Sequence, residues 1–262
     1  MNIRLDGKTA MVCGSTQGIG KAAAQVLAGL GARIVLVARN EAALIKTAIE
    51  LPAGAEQTHD YICADFNHPE TLQEKVAAYC ATHPPVHILV NNSGGPPGGE
   101  AIAAGLNEYR IAFNRHLICN QILAAALVEG MKTAGYGRII NIISTSVKQP
   151  IDGLGVSNTI RGAVANWAKT LANELGPFGI TVNNVLPGAT ETGRLQDIVA
   201  KKARAADTTE DAIAQGLQAQ IPLRRFAEPS EVAHAVAFLA SPAASYITGI
   251  NVPVDGGRIG CL

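Results

Sequence analysis

From Cys13 to Gly20 the chain reads Cys-Gly-Ser-Thr-Gln-Gly-Ile-Gly, and an Ala- and Leu-rich stretch follows at once. Glycines let a backbone turn tightly and approach another group closely. A helix that begins at such a turn presents free N–H groups and the positive end of its dipole. Gly14, Ser15, Thr16, Gln17, Gly18, Ile19 and Gly20 therefore read as a cradle for a pyrophosphate, against the plainer reading of a tight strand-to-helix turn. About twenty residues beyond the glycines, where an acidic residue would hold the ribose hydroxyls of NAD and an arginine would accept the 2′-phosphate of NADP, stands Arg39. Arg39 favours NADP(H) over NAD(H); the competing reading is a solvated arginine at a strand end. Asp65 is placed to accept a hydrogen bond from an adenine amine, or else to cap a helix beginning near Pro69.

Such a cradle needs a strand before it and a helix after it, and the rest of the chain supplies that frame. Short apolar runs at Thr9–Cys13, Arg33–Ala38, Tyr61–Ala64, Val86–Val90, Arg138–Ile143, Thr181–Leu186 and Gly249–Val254 alternate with longer segments of helical period. Strands buried on both faces read as continuous Val/Ile/Leu runs, so a seven-stranded parallel sheet is expected, with helices on both faces: a Rossmann-type, doubly wound α/β fold. Long helices are expected over about 107–133 and 153–176. Two stretches read as irregular, Gly94–Gly99 and the segment of about 187–226, and both follow carboxyl ends of strands, where such sheets bind ligands.

The 262 residues are 48% hydrophobic and 16% charged, which fits one domain, 1–262. Twenty-one basic residues balance twenty-one acidic ones, so no net field favours nucleic acid or an anionic membrane surface, and a small-molecule partner is expected. Cys13, Cys63, Cys80, Cys119 and Cys261 have no metal-ligand or disulfide spacing and read as buried small apolar residues in a reducing compartment. No metal site is expected. With no signal-peptide pattern and no span apolar for long enough to cross a bilayer, the expectation is a cytoplasmic protein.

Several motifs in order resemble the short-chain dehydrogenase/reductase family over nearly the whole chain. Gly14-x-x-x-Gly18-x-Gly20 is similar to its cofactor loop, and Asn91-Asn92-Ser93-Gly94 to its Asn-Asn-Ala-Gly motif. Pro187-Gly188 with Thr190 and Thr192 resembles the segment that meets the nicotinamide carboxamide. Ser245–Gly249 and Val254–Gly257 resemble its last strand. The resemblance implies that Asn92, Gly94, Pro187, Gly188, Thr190 and Thr192 join the cofactor site, and it implies a homotetramer, or a dimer, built on the helices near 107–133 and 153–176.

Catalysis in that family uses Asn, Ser, Tyr and Lys. Asn114 and Ser144 match the first two; Ser157, thirteen residues after Ser144, falls at the Tyr position, and Arg161 at the Lys position. An alkyl hydroxyl is far less acidic than a phenol and, without the ring, stops several Å short of the proton it would move. Arg161 stays protonated and can hold a ribose, but hardly relays protons; its planar fork also suits a carboxylate or phosphate, so an anionic substrate is one reading of the pair. Lys148, His116, Tyr109, Tyr136 and Tyr246 are the other candidate proton carriers, His116 being by its type more often a packed residue than a catalyst. The leading reading is an NADP(H)-dependent oxidoreductase acting on a carbonyl or alcohol. The second is a dinucleotide-binding regulatory protein without turnover. A third, a non-redox lyase or dehalogenase, is disfavoured because family members of that kind keep the Tyr and lose the glycine loop.

Overall fold

The computed structural model describes residues 1–54 and 57–261. Among them run seven strands: β1 (Thr9–Cys13), β2 (Arg33–Ala38), β3 (Asp60–Cys63), β4 (Ile88–Asn91), β5 (Gly137–Ile142), β6 (Ile180–Pro187) and β7 (Asn251–Val254). The helices between them are α1 (Gly18–Gly29), α2 (Glu41–Glu50), α3 (Pro69–Thr82), α4 (Leu106–Phe113), α5 (Cys119–Thr133), α6 (Gly155–Leu175), α7 (Gly193–Ala205), α8 (Glu210–Ala219) and α9 (Pro229–Ala240). All strand pairs are parallel, in the order β3-β2-β1-β4-β5-β6-β7. The order reverses between β1 and β4, which opens a crevice at their carboxyl ends.

Side chains along a strand alternate between faces, and β1 divides its residues between two cores accordingly. Ala10 and Val12 pack with α1 and α9 on one face, whereas Met11 and Cys13 pack with α3, α5 and α6 on the other. Pro69 opens α3, where its missing N–H costs nothing. At the start of α9, Glu231 accepts from the Glu228 N–H and takes Arg225 at 2.6 Å through both carboxylate oxygens. Four strands are tied by a row of amides in register: Asn91 Nδ2 donates to Asn141 at 2.8 Å, Asn141 to Asn184 at 2.9 Å, and Asn184 to Asn251 at 2.8 Å.

Some expectations need correction. The 187–226 segment is not irregular throughout, since it carries α7, which buries Val199 and Ala203, and α8, which buries no residue. The long helix expected near 107–133 is interrupted: Asn114–Ile118 form one turn of π-helix between α4 and α5. That helix, Leu106–Thr133, is also long and apolar enough by composition to cross a membrane, contrary to expectation. Leu123, Leu127 and Met131 of this stretch join the sheet core, whereas Leu106, Ile111 and Phe113 at its start are exposed. Of the cysteines, Cys13 and Cys119 are buried as expected, but Cys63 and Cys80 are half-buried and Cys261 is exposed.

Candidate active site

The glycine loop is closed by steric necessity. A Cβ on Gly20 would lie 2.7 Å from Asn92 Nδ2 and closer still to the Gly14 carbonyl oxygen; one on Gly14, whose φ is +58°, would lie 2.8 Å from the same amide nitrogen. Asn92 Nδ2 in turn donates to Cys13 O at 3.2 Å and Gly14 O at 3.4 Å, binding the end of β4 to the loop. Ser15 is buried beneath the loop, its hydroxyl directed at Val37 O, and Gln17 stands at the N-cap of α1 without capping it by its side chain. The first N–H groups of α1 thus lack a side-chain acceptor, as a phosphate cradle requires. The 187–192 segment closes over the same loop. Thr192 lies against Gly18, and Gly188 is packed so tightly on Asp255 that a Cβ would come within 2.7 Å of its Cα.

Arg39 is exposed at the end of β2, and Asp65 is half-buried at the end of β3 beside it. Asp65 does not cap α3, whose N-cap is His68; its Oδ1 accepts from the Asn67 N–H at 2.9 Å. Burial pushes this carboxyl up, but the Asn67 hydrogen bonds, with help from Arg39, hold it below its ordinary value.

At the other end of the crevice, Ser144 follows β5, and its Oγ accepts from the Ser146 N–H at 3.1 Å. Ser157 and Arg161 lie one turn apart on α6, both buried. Arg161 donates from Nη1 to Ile142 O at 2.8 Å, and its Nε is buried without a protein partner. Burial and then the like charge of Arg194 push the guanidinium down to about 10. Arg194, at the start of α7, fastens that helix to the 94–99 loop by donating to Gly95 O and Pro96 O, both at 2.9 Å. Among the described residues no ion pair is formed by Arg115, Arg161 or Arg194.

The π turn decides which residue of the long helix faces this cluster. Asn114 stands exposed at its start, whereas His116 is turned inward and is 2% exposed. Its Nδ1 lies 2.8 Å from Ser93 Oγ, and its Nε2 is buried without a partner. Burial, reinforced by Arg161, Arg115 and Arg194, holds the imidazole well below the usual histidine range.

The family model described as enoyl-(acyl carrier protein) reductase matches residues 14–258. The 3-oxoacyl-[acyl-carrier-protein] reductase of Vibrio cholerae is 32% identical over 264 residues, covering 97% of this chain and 98% of that protein. The (S)-acetoin-forming diacetyl reductase of Staphylococcus epidermidis is 32% identical over 255 residues, covering 96% of this chain and 98% of the relative. Among solved structures, L-sorbose reductase from Gluconobacter frateurii, complexed with NADPH and L-sorbose, superposes with a TM-score of 0.93 at 30% identity, covering both chains in full. The chain belongs to the short-chain dehydrogenase/reductase family.

In this short-chain dehydrogenase/reductase the glycine loop, Asn92 and the 187–192 segment meet at one place, while Ser157 and Arg161 lie on α6, with Arg161 bonded to Ile142 O two residues before Ser144. Asn114 is exposed at the start of the π turn. Of the candidate proton carriers, Tyr136 is committed to Ala240 O at 2.6 Å and sits between the Lys8 and Arg138 cations, Tyr109 reaches Ala101 O, and Tyr246 is fully exposed. Sequence reasoning gave little weight to Ser93, His116 and Arg194. One signal for the first was present: Ser93 stands where the resembling motif carries Ala, and a hydroxyl added at a strand end calls for a polar partner.

Proposed function

We propose that this chain is an NADP(H)-dependent oxidoreductase that interconverts a carbonyl and an alcohol on an anionic small molecule, from a site in which Ser157 and Arg161 stand where the family carries Tyr and Lys. The observation that carries it is the packing of Gly14 and Gly20 on Asn92, which leaves the backbone N–H groups of a helix start bare beside Arg39 and Asp65. A dinucleotide would be held by the glycine loop at its pyrophosphate, by Arg39 and Asp65 at its adenosine end, and by Pro187, Gly188, Thr190 and Thr192 at its nicotinamide end. When bound, it supplies a hydride. The 3-oxoacyl-[acyl-carrier-protein], diacetyl and L-sorbose reductases to which the chain is similar support the same class.

Ser144 is suited to polarise the substrate oxygen. Its Oγ already accepts from the Ser146 N–H, so its own proton is free to be donated. Among the described residues Arg161 forms no ion pair with a carboxylate, which supports a substrate that brings a negative charge with it. The exposed apolar residues Ile102, Leu106 and Phe113, at and near α4, support assembly into a homotetramer.

The test is titration with NADPH and NADH, followed by Trp167 fluorescence and by cofactor absorbance with a panel of ketones and 2-oxo acids. NADPH is expected to bind more tightly and to be oxidised fastest with the acids, and Arg39→Asp to reverse the cofactor preference. Tight binding without oxidation would favour a regulatory protein, the reading supported by Ser157, whose hydroxyl is too short to stand in for a phenol. No binding would reduce the glycine loop to a structural turn.

A further inference from the structure

If the chain reduces carbonyls, as proposed above, the substrate oxygen must gain a proton, and neither Ser157 nor Arg161 is suited to give it. We infer that Ser93 and His116 carry this proton together, Ser93 as the group that touches the substrate and His116 as the positioning residue and proton store behind it. The inference rests on the reductase reading.

Three observations carry it. The first is connectivity: Ser93 is half-buried at the carboxyl end of β4, next to Asn92, which holds the glycine loop, and its Oγ is 2.8 Å from His116 Nδ1. The second is the π turn. It costs the helix its regular ladder, a distortion frequent at functional sites, and within it His116 is buried while Asn114 is exposed. The third is charge. The charged groups that bear on His116 are Arg115 from its own turn, Arg161 from α6 and Arg194 from α7, and no carboxylate is among them. An imidazolium there is a strong acid until an anion settles beside the arginines, so a substrate carboxylate would raise the histidine toward working pH as it binds.

The proton balance is simple. In the imidazolium both nitrogens carry hydrogen, so Nδ1–H must donate to Ser93 Oγ, and the serine proton is then free to point at the substrate. In reduction, as the carbonyl carbon takes the hydride with its electron pair, an O–H bond forms between the substrate oxygen and the Ser93 proton. Ser93 Oγ takes the proton of His116 Nδ1, and His116 returns to the neutral imidazole, to be recharged from solvent. Oxidation runs the same transfers backwards.

The experiment compares wild type with Ser93→Ala, His116→Asn and the double variant, using the 2-oxo acid most rapidly reduced by the wild type, from pH 5 to 8. The wild-type kcat/KM for reduction should fall about tenfold per pH unit above the histidine's titration. Each single variant should lose about 100-fold in kcat and flatten that slope, with the double variant no worse than either, as for groups acting as a unit. Unchanged NADPH affinity by Trp167 fluorescence verifies folding. Because His116 is buried, Ser93→Ala, which removes a single oxygen, carries the test independently. Imidazole nitrogen NMR adds a readout without turnover: the Nδ1 resonance of His116, assigned by its loss in His116→Asn, should move in Ser93→Ala. Wild-type turnover with the slope retained in both variants, losses that multiply in the double variant, or an Nδ1 resonance unmoved by Ser93→Ala would overturn the inference while leaving the reductase reading intact. No NADPH oxidation by wild type with any substrate would overturn both.

Discussion

Replacing Arg161 with Met keeps an unbranched stem and removes the cation. Burial with Arg194 nearby pushes this guanidinium down to about 10, which corresponds to about 3 kcal/mol of unfavourable charge burial at any lower pH. Against that stands one charge-assisted hydrogen bond, Nη1 to Ile142 O at 2.8 Å, worth about 1.5–3 kcal/mol. The two nearly cancel, so Arg161→Met should change folding stability by no more than about 1 kcal/mol. Ligand binding should respond differently. A carboxylate about 4 Å from a guanidinium gains about 4 kcal/mol at an effective dielectric constant near 20, part of which is lost to its own desolvation. A net loss of about 2–3 kcal/mol, roughly 100-fold in Kd, is expected for a 2-oxo acid, with at most a threefold change for NADPH and for a neutral ketone. Arg161→Lys, which keeps the charge but not the fork, should fall between. The assay is fluorescence titration of each ligand alongside urea unfolding. Equal losses for the acid and for NADPH would refute the assignment of Arg161 to the substrate, and destabilisation by several kcal/mol would refute the claim that its charge is uncompensated.

Gly20→Ala forces a methyl group between Gly14 O and Asn92 Nδ2, and NADPH affinity should fall at least 100-fold with a stability loss of about 1–3 kcal/mol, read by the same titration and by thermal unfolding. Asn141→Ala orphans the Asn91 donor and the Asn184 acceptor in the buried amide row, and urea unfolding should report a loss of about 2–4 kcal/mol. His116 and His87 are both held below the ordinary histidine value, burial being the larger cause in each, so the unfolded chain binds their protons more readily. Stability should be full above about pH 6.5 and decline as pH falls through the lowered folded values, by up to about 1.4 kcal/mol per pH unit for each group. His116→Asn should remove its share of that decline, and melting curves between pH 7.5 and 5 would measure it.

The sheet was legible because parallel strands buried on both faces leave long runs of Val, Ile and Leu; all seven observed strands begin and end within two residues of the expected places. The glycine loop was legible because its chemistry is local: strand, turn and helix start lie within a dozen residues, and only glycine fits where Gly14, Gly20 and Asn92 converge. The helices α7 and α8 were hidden by their polarity, since a helix that buries only Val199 and Ala203, or no residue at all, leaves little apolar pattern to read.

Residue type and near-neighbour spacing alone established which segments form the buried strands, the glycine turn between β1 and α1, and the absence of a phenol and an ammonium from positions 157 and 161. It took the tertiary fold to bury His116 while Asn114 stays exposed, to pair it with Ser93 across 23 residues, and to bring the like charge of Arg194 to bear on the buried Arg161. The physical reason is that a π turn arises where packing on both sides of a helix outweighs its regular hydrogen-bond ladder, and the charge balance of a pocket is a sum over segments that meet only when the sheet has formed.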